Sequence, residues 1–525
     1  MRPSVERRRV LLLATACAAT LWLPRGAWSQ PRFSSNPFAL GVASGSPTHD
    51  SVVLWTRLVA EGLFGSNLGR EPITVRWELA HDERFSRIVQ SGQAVASAEL
   101  AHSVHVEVAA LEPDRWYFYR FMVGDALSPV GRTRTFPAPD AEAARLRIAY
   151  ASCQRWEHGY FSAYRHMREE NLDAVLFLGD YIYEYPNAKN AVRVPSGGWV
   201  RTLDDYRQRY ALHKSEVDLQ AMHAACPWLV TWDDHEVQND YAGLKEGDSG
   251  PAVASFAARR AGAYQAFYEH MPLRASVLTQ AMSGLAGGAE MRIYHQVRFG
   301  QLATFYLVDD RQYRDPHACT RGGKSGSSTV DPATCAEWMD PNRTLLGAAQ
   351  ERWLDDAFAH AGKGWNILGL QTLFGQRDFK SGSGQSFWND GWDGYPAART
   401  RLIESMRGNA LANPVLLGGD VHENWVGHVK ADYADARSPS IGVEFCGTSI
   451  TARSDGGGRT HEWLAKNPHF IFADAEHRGY GVAEFTPRQL TTSLRVVNDV
   501  TRRDTTVETL AKFSVAAGRP AIERG

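Results

Sequence analysis

Two textures of apolar and polar positions divide the chain. From Leu40 to about Phe136, short alternating runs, VVLWTRL, ITVRWELA, HVEVAAL and WYFYRFMV, are separated by turn residues. Alternation with a period of two turns one side of each run to a core and the other to solvent, so residues 30–142 are predicted to form a small β-sandwich. The segment PAPDAEAA, residues 137–144, has linker composition. Beyond it, apolar runs alternate with helical stretches such as YFSAYRHMREE and GAAQERWLDDAFAHA. That alternation predicts an α/β, or α+β layered, domain over residues 143–525. Near its end VETLAKFSVAA reads as an amphipathic helix, docked on the surface or closing over a cleft.

The apolar runs of the second domain share an ending. LRIAYASCQ stops at Cys153, AVLFLGDYIY at Asp180, WLVTWDDHE at Asp233, Asp234 and His235. ATFYLVDDR stops at Asp309, Asp310 and Arg311, NILGLQT at Gln371, and PVLLGGDVHEN at Asp420, His422 and Asn424. One such ending means little, because aspartate is common in turns. Six converging on the carboxyl edge of a sheet point to a site, since that edge is where sheet enzymes bind ligands. Carboxylates, a phenol, a thiol and an imidazole brought together there repel one another or stay protonated unless a cation neutralises them. Thiolate and phenolate favour Fe³⁺, whereas carboxylate and amide oxygens favour Ca²⁺, Mg²⁺ or Mn²⁺, so the mixed donors predict more than one metal.

Composition narrows the class. The chain has 525 residues, 44% hydrophobic and 22% charged, which suits a globular protein of two folded units. A formal net charge of -2 supplies no basic field for nucleic acid, so no specific nucleic-acid binding is expected. Residues 1–29 combine Arg7, Arg8 and Arg9 with an apolar stretch from Val10 to Leu23 and small residues around Trp28. They predict a cleavable export signal of twin-arginine type, with an arginine-rich general secretion signal as the alternative, the twin-arginine export machinery as a partner, and a periplasmic or secreted product. No later segment carries the roughly 20 apolar residues of a membrane-spanning helix. Removing Cys17 with the signal leaves five cysteines. Cys319 and Cys335 bracket a Gly/Ser-rich loop and are expected to pair; Cys226 and Cys446 are a second candidate pair, with Cys153 left as a thiol.

The motifs also resemble a family. GDYIY resembles the GDxxY block of purple acid phosphatases, with DDHE in the place of GNHE and GDVH in that of GHxH. ASCQ, GDYIYEY, TWDDHEVQNDY, VDDRQYRD, NDGWDGY and EFCGTSIT together resemble the PhoD-like alkaline phosphatases, and a sandwich opening GVASGSPTHDSVVLWTRL extends the match. The resemblance implies a calcineurin-like metallophosphoesterase ββ sandwich flanked by helices, behind a fibronectin-like sandwich. It implies Fe³⁺ and Ca²⁺ as cofactors, and hydrolysis of small-molecule or polymeric phosphate esters by a metal-bound hydroxide. Carried over residue by residue, Asp180 is the bridging carboxylate, Tyr183 and Cys153 are iron ligands, and Asp234, Asp420 and His422 match the remaining ligands. Asn239 completes the expected metal set, with Asp233 and Gln371 as further candidates. His235 is the expected proton donor to the leaving alkoxide, which a site that only binds ions would not need. Arg311 is read either as a phosphate clamp or as an ion-pair partner of Asp309 or Asp310. Trp388, Trp392 and Tyr395 are candidates for the substrate entrance or for packing. Monoesters, diesters and phospholipids are not separated by these residues, and a noncatalytic binding protein or a coloured iron redox enzyme are the readings from other classes.

Overall fold

The structure, a computed structural model, describes residues 33–60, 68–194, 197–279, 290–320, 326–454 and 458–525. The predicted export signal, residues 1–29, lies outside the described residues. Two large sheets dominate the remainder. The first has ten strands, and its middle is the parallel set Leu146–Ala151, Ala174–Phe177 and Trp228–Val230. The second has seven strands and contains the parallel set Ala303–Leu307, Trp365–Gly369, Pro414–Gly418 and Ser440–Cys446. All four strands Ala174–Phe177, Ala303–Leu307, Trp365–Gly369 and Pro414–Gly418 are buried along their whole length, as expected of strands covered on both faces.

Side-chain alternation places the layers. Leu176, Ile148 and Leu229 point between the sheets, onto Phe305, Ile367, Val415 and Leu417. Val175, Phe177 and Trp228 point the other way, onto residues of the helices Leu203–Lys214 and Phe256–His270. Leu368 and Leu416 on the outer face of the second sheet meet Leu354 and Phe358 of helix Ala348–Ala359 and Ile403 of helix Pro396–Gly408. The result is helix, sheet, sheet, helix, the layered α/β arrangement read from the sequence.

The N-terminal sandwich is joined to this core through the backbone. Strands Val42–Gly45, Val52–Arg57 and Ser103–Val108 extend the ten-stranded sheet, starting from a parallel contact of Gly45 with Trp228. The approach there is close: a Cβ on Gly45 would lie 2.7 Å from the Trp228 carbonyl oxygen. A five-stranded sheet including Ile73–Ala80 and Trp116–Val123 covers the extension, with Val52, Leu54, Val75, Leu79, Tyr117 and Tyr119 between them. The sandwich thus shares one of its sheets with the larger domain.

Two expectations are corrected, and the choice left open between entrance and packing is decided for Trp392 and Tyr395. The predicted C-terminal helix is the strand Val507–Ala516, paired antiparallel with Gln489–Val497. Its register slips between Leu494 and Arg495, whose partners are Ala511 and Thr509, so Leu510 is an extra residue. A bulge shifts the phase of a period-two pattern. It makes Val507, Leu510 and Ala511 look like one face of a helix, while Ala511, Phe513 and Val515 are the buried strand positions. Cys319 and Cys335 do form a disulfide, but Cys226 and Cys446 do not: both are free thiols, buried in separate clusters. Trp392 and Tyr395 are core residues beneath helix Pro396–Gly408, and of that aromatic set Trp388 alone is exposed.

The strand assignment makes a prediction. Phe513→Ala removes a buried ring packed beside Phe472 at 5.6 Å and should cost about 3–5 kcal/mol in denaturant unfolding. Lys512→Ala, on the exposed side, should stay within about 0.5 kcal/mol. Similar costs at both positions would contradict the strand.

Candidate metal centre

Most of the candidate ligands stand in turns just past the ends of parallel strands. Cys153 follows Leu146–Ala151, Asp180 follows Ala174–Phe177, and Asp233 and Asp234 follow Trp228–Val230. From the second sheet, Asp420 and His422 follow Pro414–Gly418. The turns are tight and strained. Cys153, Asp180, Asp420 and His422 all have φ between 56° and 66°, a left-handed conformation costing a non-glycine residue roughly 1–2 kcal/mol. Gly179, at φ 110°, brings its turn so close to the neighbouring one that a Cβ would lie 2.4 Å from that of Asp233.

Hydrogen bonds hold these turns in place. The Cys153 amide donates to the Gly179 carbonyl at 3.1 Å and the Gln154 amide to that of Asp180 at 3.0 Å. The buried Glu236 carboxylate accepts three backbone N–H groups, those of Asp180, Tyr181 and Asp233. Sequence reading did not assign Glu236 a role, although it completes the DDHE block; what it does is fasten two strand ends together.

The donors fall into overlapping groups. Sγ of Cys153, a carboxylate oxygen of Asp180 and a ring nitrogen of His422 lie within 4.8 Å of one another. Tyr183 sits among them: its hydroxyl donates to Asp180 Oδ2 at 2.9 Å and lies 3.2 Å from His422 Nε2. His422 Nδ1 is 2.8 Å from the Arg453 carbonyl oxygen, which can only accept, so Nδ1 carries the proton and Nε2 presents a lone pair to the centre. The second group joins Asp180, Asp233, Asp234 and Asp420, again within 4.8 Å. Asp180 belongs to both. A further set, Asp234, Asp240 and Asp390, extends the acidic region. Asp240 and Asp390 were not singled out from sequence, although Asp390 lies in the quoted NDGWDGY block.

Charge in this space is poorly balanced by the protein itself. Burial pushes the Asp180 carboxyl well above the usual carboxylate range, and Asp234, Glu236 and Asp420 add repulsion. Burial likewise raises Asp233, against the pull of Arg311, and brings Asp420 up to about 6. The Cys153 thiol and Tyr183 phenol are driven up by burial and then by Asp180. Burial also works to raise Asp234, but Arg311 and His235 hold it below its ordinary value. Asp180 Oδ1, Asp234 Oδ1 and Gln371 Oε1 are buried without a hydrogen-bond partner among the described residues. Unpaired buried oxygens are costly. Acceptors left open among crowded acids fit multivalent cations, which oppose each of the upward shifts when they bind.

The remaining predicted residues are placed as follows. His235 Nδ1 is 2.6 Å from Glu184 Oε2, and Glu184 Oε1 accepts the Asn239 amide at 2.7 Å. Although burial works against the charged ring, Glu184, Asp180 and Asp234 hold His235 protonated, well above its ordinary value. Asn239 is half-buried, tied by its backbone to Glu184. Arg311 is fully buried, paired with Asp233 and, at 2.7 Å, with Asp390. Asp310 is 3.5 Å from its guanidinium, while Asp309 accepts its backbone amide at 3.1 Å. The ion-pair reading of Arg311 therefore gains partners that sequence did not name, and its Nη2 is left without a hydrogen bond among the described residues. Gln371 donates to Thr231 and to the Val308 carbonyl, leaving only its oxygen free.

Two stacked sheets whose parallel strands deliver acidic, thiol, phenol and imidazole donors to one shared edge define a layered α/β protein with a candidate metal centre. Comparison with known proteins gives the particular family. Residues 148–494 match the family model "PhoD-like phosphatase", and residues 24–137 match "PhoD-like phosphatase, N-terminal domain". The chain is 45% identical to alkaline phosphatase D of Bacillus subtilis (strain 168) over 491 residues, 92% of this chain and 81% of the relative. It superposes on a solved structure titled "Structure of PhoD" with a TM-score of 0.87 and 43% identity, covering 94% of this chain and 93% of the other. The chain belongs to the PhoD-like phosphatase family.

Cation removal has a predicted pH signature. Carboxyls raised in the fold stabilise it fully below about pH 4, where they are protonated in both states. That stabilisation is lost as pH rises through their folded values, about 6 for Asp420. Chelator-treated protein should therefore lose Tm as pH rises from about 4 to about 7, and cation-loaded protein should not, because the bound ion favours the ionised form. Parallel pH profiles for the two would show that no cation sits among these acids.

Proposed function

We propose that this protein is an exported phosphoesterase whose centre combines two kinds of metal ion. The reading rests on one observation above the others: Asp180 is shared between a thiol–phenol–imidazole group and an all-carboxylate group. Cys153, Tyr183, His422 and Asp180 suit Fe³⁺; Asp180, Asp233, Asp234 and Asp420, with the Gln371 oxygen, suit Ca²⁺. Such ions, when bound, supply Lewis acidity to a phosphoryl oxygen and to the attacking water, and offset the charge of the phosphate.

The chain's own residues do the rest. Arg311 keeps Asp233 and Asp390 in place, and its Nη2, which makes no hydrogen bond among the described residues and lies 3.8 Å from Asp420 Oδ1, is a donor for a phosphate oxygen. Glu184 fixes the His235 ring by Nδ1 and keeps it charged, so Nε2 holds the proton that the departing alkoxide needs. A histidine so oriented and charged has no use in a site that only stabilises the fold, which favours catalysis over a binding role. Export is supported by the arginine-led apolar segment of residues 1–29 and by the Cys319–Cys335 disulfide, which suits an oxidising compartment. Among the described residues no helix is long and apolar enough to cross a membrane.

Hydrolysis is tested with wild type and His235→Ala loaded to equal metal content. Loss of a general acid costs about 10²–10⁴-fold, and the loss should be larger for an alkyl phosphate than for p-nitrophenyl phosphate, whose leaving group departs unprotonated. Equal losses on both esters would remove His235 from the proton transfer. Absence of phosphate release by wild type from either ester, across neutral to alkaline pH, would overturn the phosphoesterase reading.

A further inference from the structure

The loop closed by the Cys319–Cys335 disulfide is tied to the acidic region by hydrogen bonds. Ser327, in that loop, donates to Asp240 Oδ2 twice, from its amide at 2.9 Å and from its hydroxyl at 2.6 Å. Asp240 is buried, and its own amide donates to Asp234 Oδ2 at 2.7 Å. That bond occupies one oxygen of the Asp234 carboxylate and leaves Oδ1, buried and without a hydrogen-bond partner among the described residues, as the open one. Ser327 therefore reaches a candidate metal donor through a single intervening residue.

A second route runs from the next residue. The Ser328 amide donates to Asn389 Oδ1 at 2.7 Å, and the Asn389 amide donates back to the Ser328 carbonyl at 3.0 Å. Asn389 Nδ2 also donates to the carbonyl of Ala318, the residue before Cys319, at 3.0 Å. Asn389 is fully buried, and it is followed by Asp390, whose carboxylate accepts from Arg311, Arg314 and His317. Arg311 in turn pairs with Asp233. What keeps the two serines in place is the small cluster around the disulfide. Ala318, Val330, Cys335, Trp338 and Phe387 are buried together, with Trp338 stacked on Phe387 at 5.2 Å. Backbone pairing there joins only Thr329–Val330 to Phe387–Trp388, and so short a ladder holds weakly by itself. The disulfide supplies the covalent tie.

We infer that Ser327 is a positioning residue for the all-carboxylate group and that the Cys319–Cys335 disulfide is the clamp holding it there, so that the chain with these two cysteines as thiols binds the cation more weakly. The inference rests on the two-ion reading above, in which Asp233 and Asp234 hold Ca²⁺. Hydrogen bonds behind a metal ligand fix the direction of its lone pairs, and Asp240 does this for Asp234 by taking one oxygen and leaving the other open. Asp240 needs Ser327 to stay there. Carboxylate oxygens of Asp240, Asp234 and Asp390 lie within 4.8 Å of one another, so an Asp240 side chain released from Ser327 is pushed away by its neighbours and its amide moves with it. Cys153, Tyr183 and His422 take no part in either route, and the effect is confined to the carboxylate group. In a reducing compartment, where such a disulfide does not persist, the same polypeptide holds its cation poorly.

The test measures Ca²⁺ binding by titration calorimetry on the full chain after EGTA treatment, with iron content and thermal unfolding determined on the same preparations. Ser327→Ala, which keeps the disulfide, should weaken Ca²⁺ binding about tenfold, the low end of what a partner behind a metal ligand contributes, and Ser327→Thr should restore most of it. Cys319→Ser combined with Cys335→Ser should weaken binding at least as much. Adding Ser327→Ala to that pair should cost little more, because the serine is no longer held. Iron content should stay at the wild-type level throughout, and Ser327→Ala should unfold at the wild-type temperature in EGTA. An unchanged Ca²⁺ affinity in Ser327→Ala overturns the inference, whether or not the cysteine variant folds. A full cost of Ser327→Ala in the absence of the disulfide overturns the clamp. Joint loss of iron, calcium and thermal stability in Ser327→Ala would mark the serine as structural and overturn its positioning role. Failure of the two-ion reading looks different: wild type itself then binds no Ca²⁺, and the inference falls with it.

Discussion

Crowded negative charge is the constraint on which this molecule depends. Asp180, Asp233, Asp234 and Asp420 put oxygens within 4.8 Å of one another in a buried space whose central counter-charge from the chain is Arg311. That guanidinium and the charged His235 ring cannot balance four carboxylates, a thiol and a phenol, and burial makes each unpaired charge more costly than it would be in water. The protein meets this partly by keeping acids protonated and partly by leaving oxygens open to ions. Both responses follow from the same low-dielectric enclosure.

The scaffold accepts local strain to create that enclosure. Four of the candidate ligands adopt left-handed backbone conformations, and Gly179 lets two turns approach closer than any side chain would allow. Such conformations persist where surrounding structure over-determines them. Glu236, collecting three backbone N–H groups from two strand ends, and the amide–carbonyl bonds between the Cys153 and Asp180 turns supply that restraint. The strands beneath are buried on both faces, so the turns are anchored to the least deformable part of the molecule.

The rest of the chain extends and covers the sheets. The N-terminal sandwich continues the first sheet at Gly45 and Trp228, and the C-terminal strands continue it at the opposite edge. Each extension shields a strand edge that would otherwise be open to pairing with other chains. Beside the centre, buried Glu184 holds the His235 ring and buried Arg155 packs against the rings of Tyr183 and Tyr185.

Much of this was legible in the sequence, for a definite physical reason. Strands buried on both faces need unbroken apolar runs, and such runs end abruptly where polar groups are wanted, so LFLGDYIYEY displayed both a strand and the donors Asp180 and Tyr183. The layered fold, the donor types and the Cys319–Cys335 pair were set by local pattern and spacing. What local pattern could not decide were matters of distant pairing. The bulge at Leu510 depends on a partner strand and disguised a strand as a helix; Cys226 and Cys446 belong to different clusters because the sheets part them. Arg311 took Asp233 and Asp390, far away in sequence, over its neighbour Asp309. Glu184 and Arg155 show their roles only once packing brings a histidine and two tyrosine rings to them. Sequence determined which chemistry could assemble; tertiary structure decided which groups share one enclosed space, because burial and contact are properties of the folded neighbourhood and not of the residue.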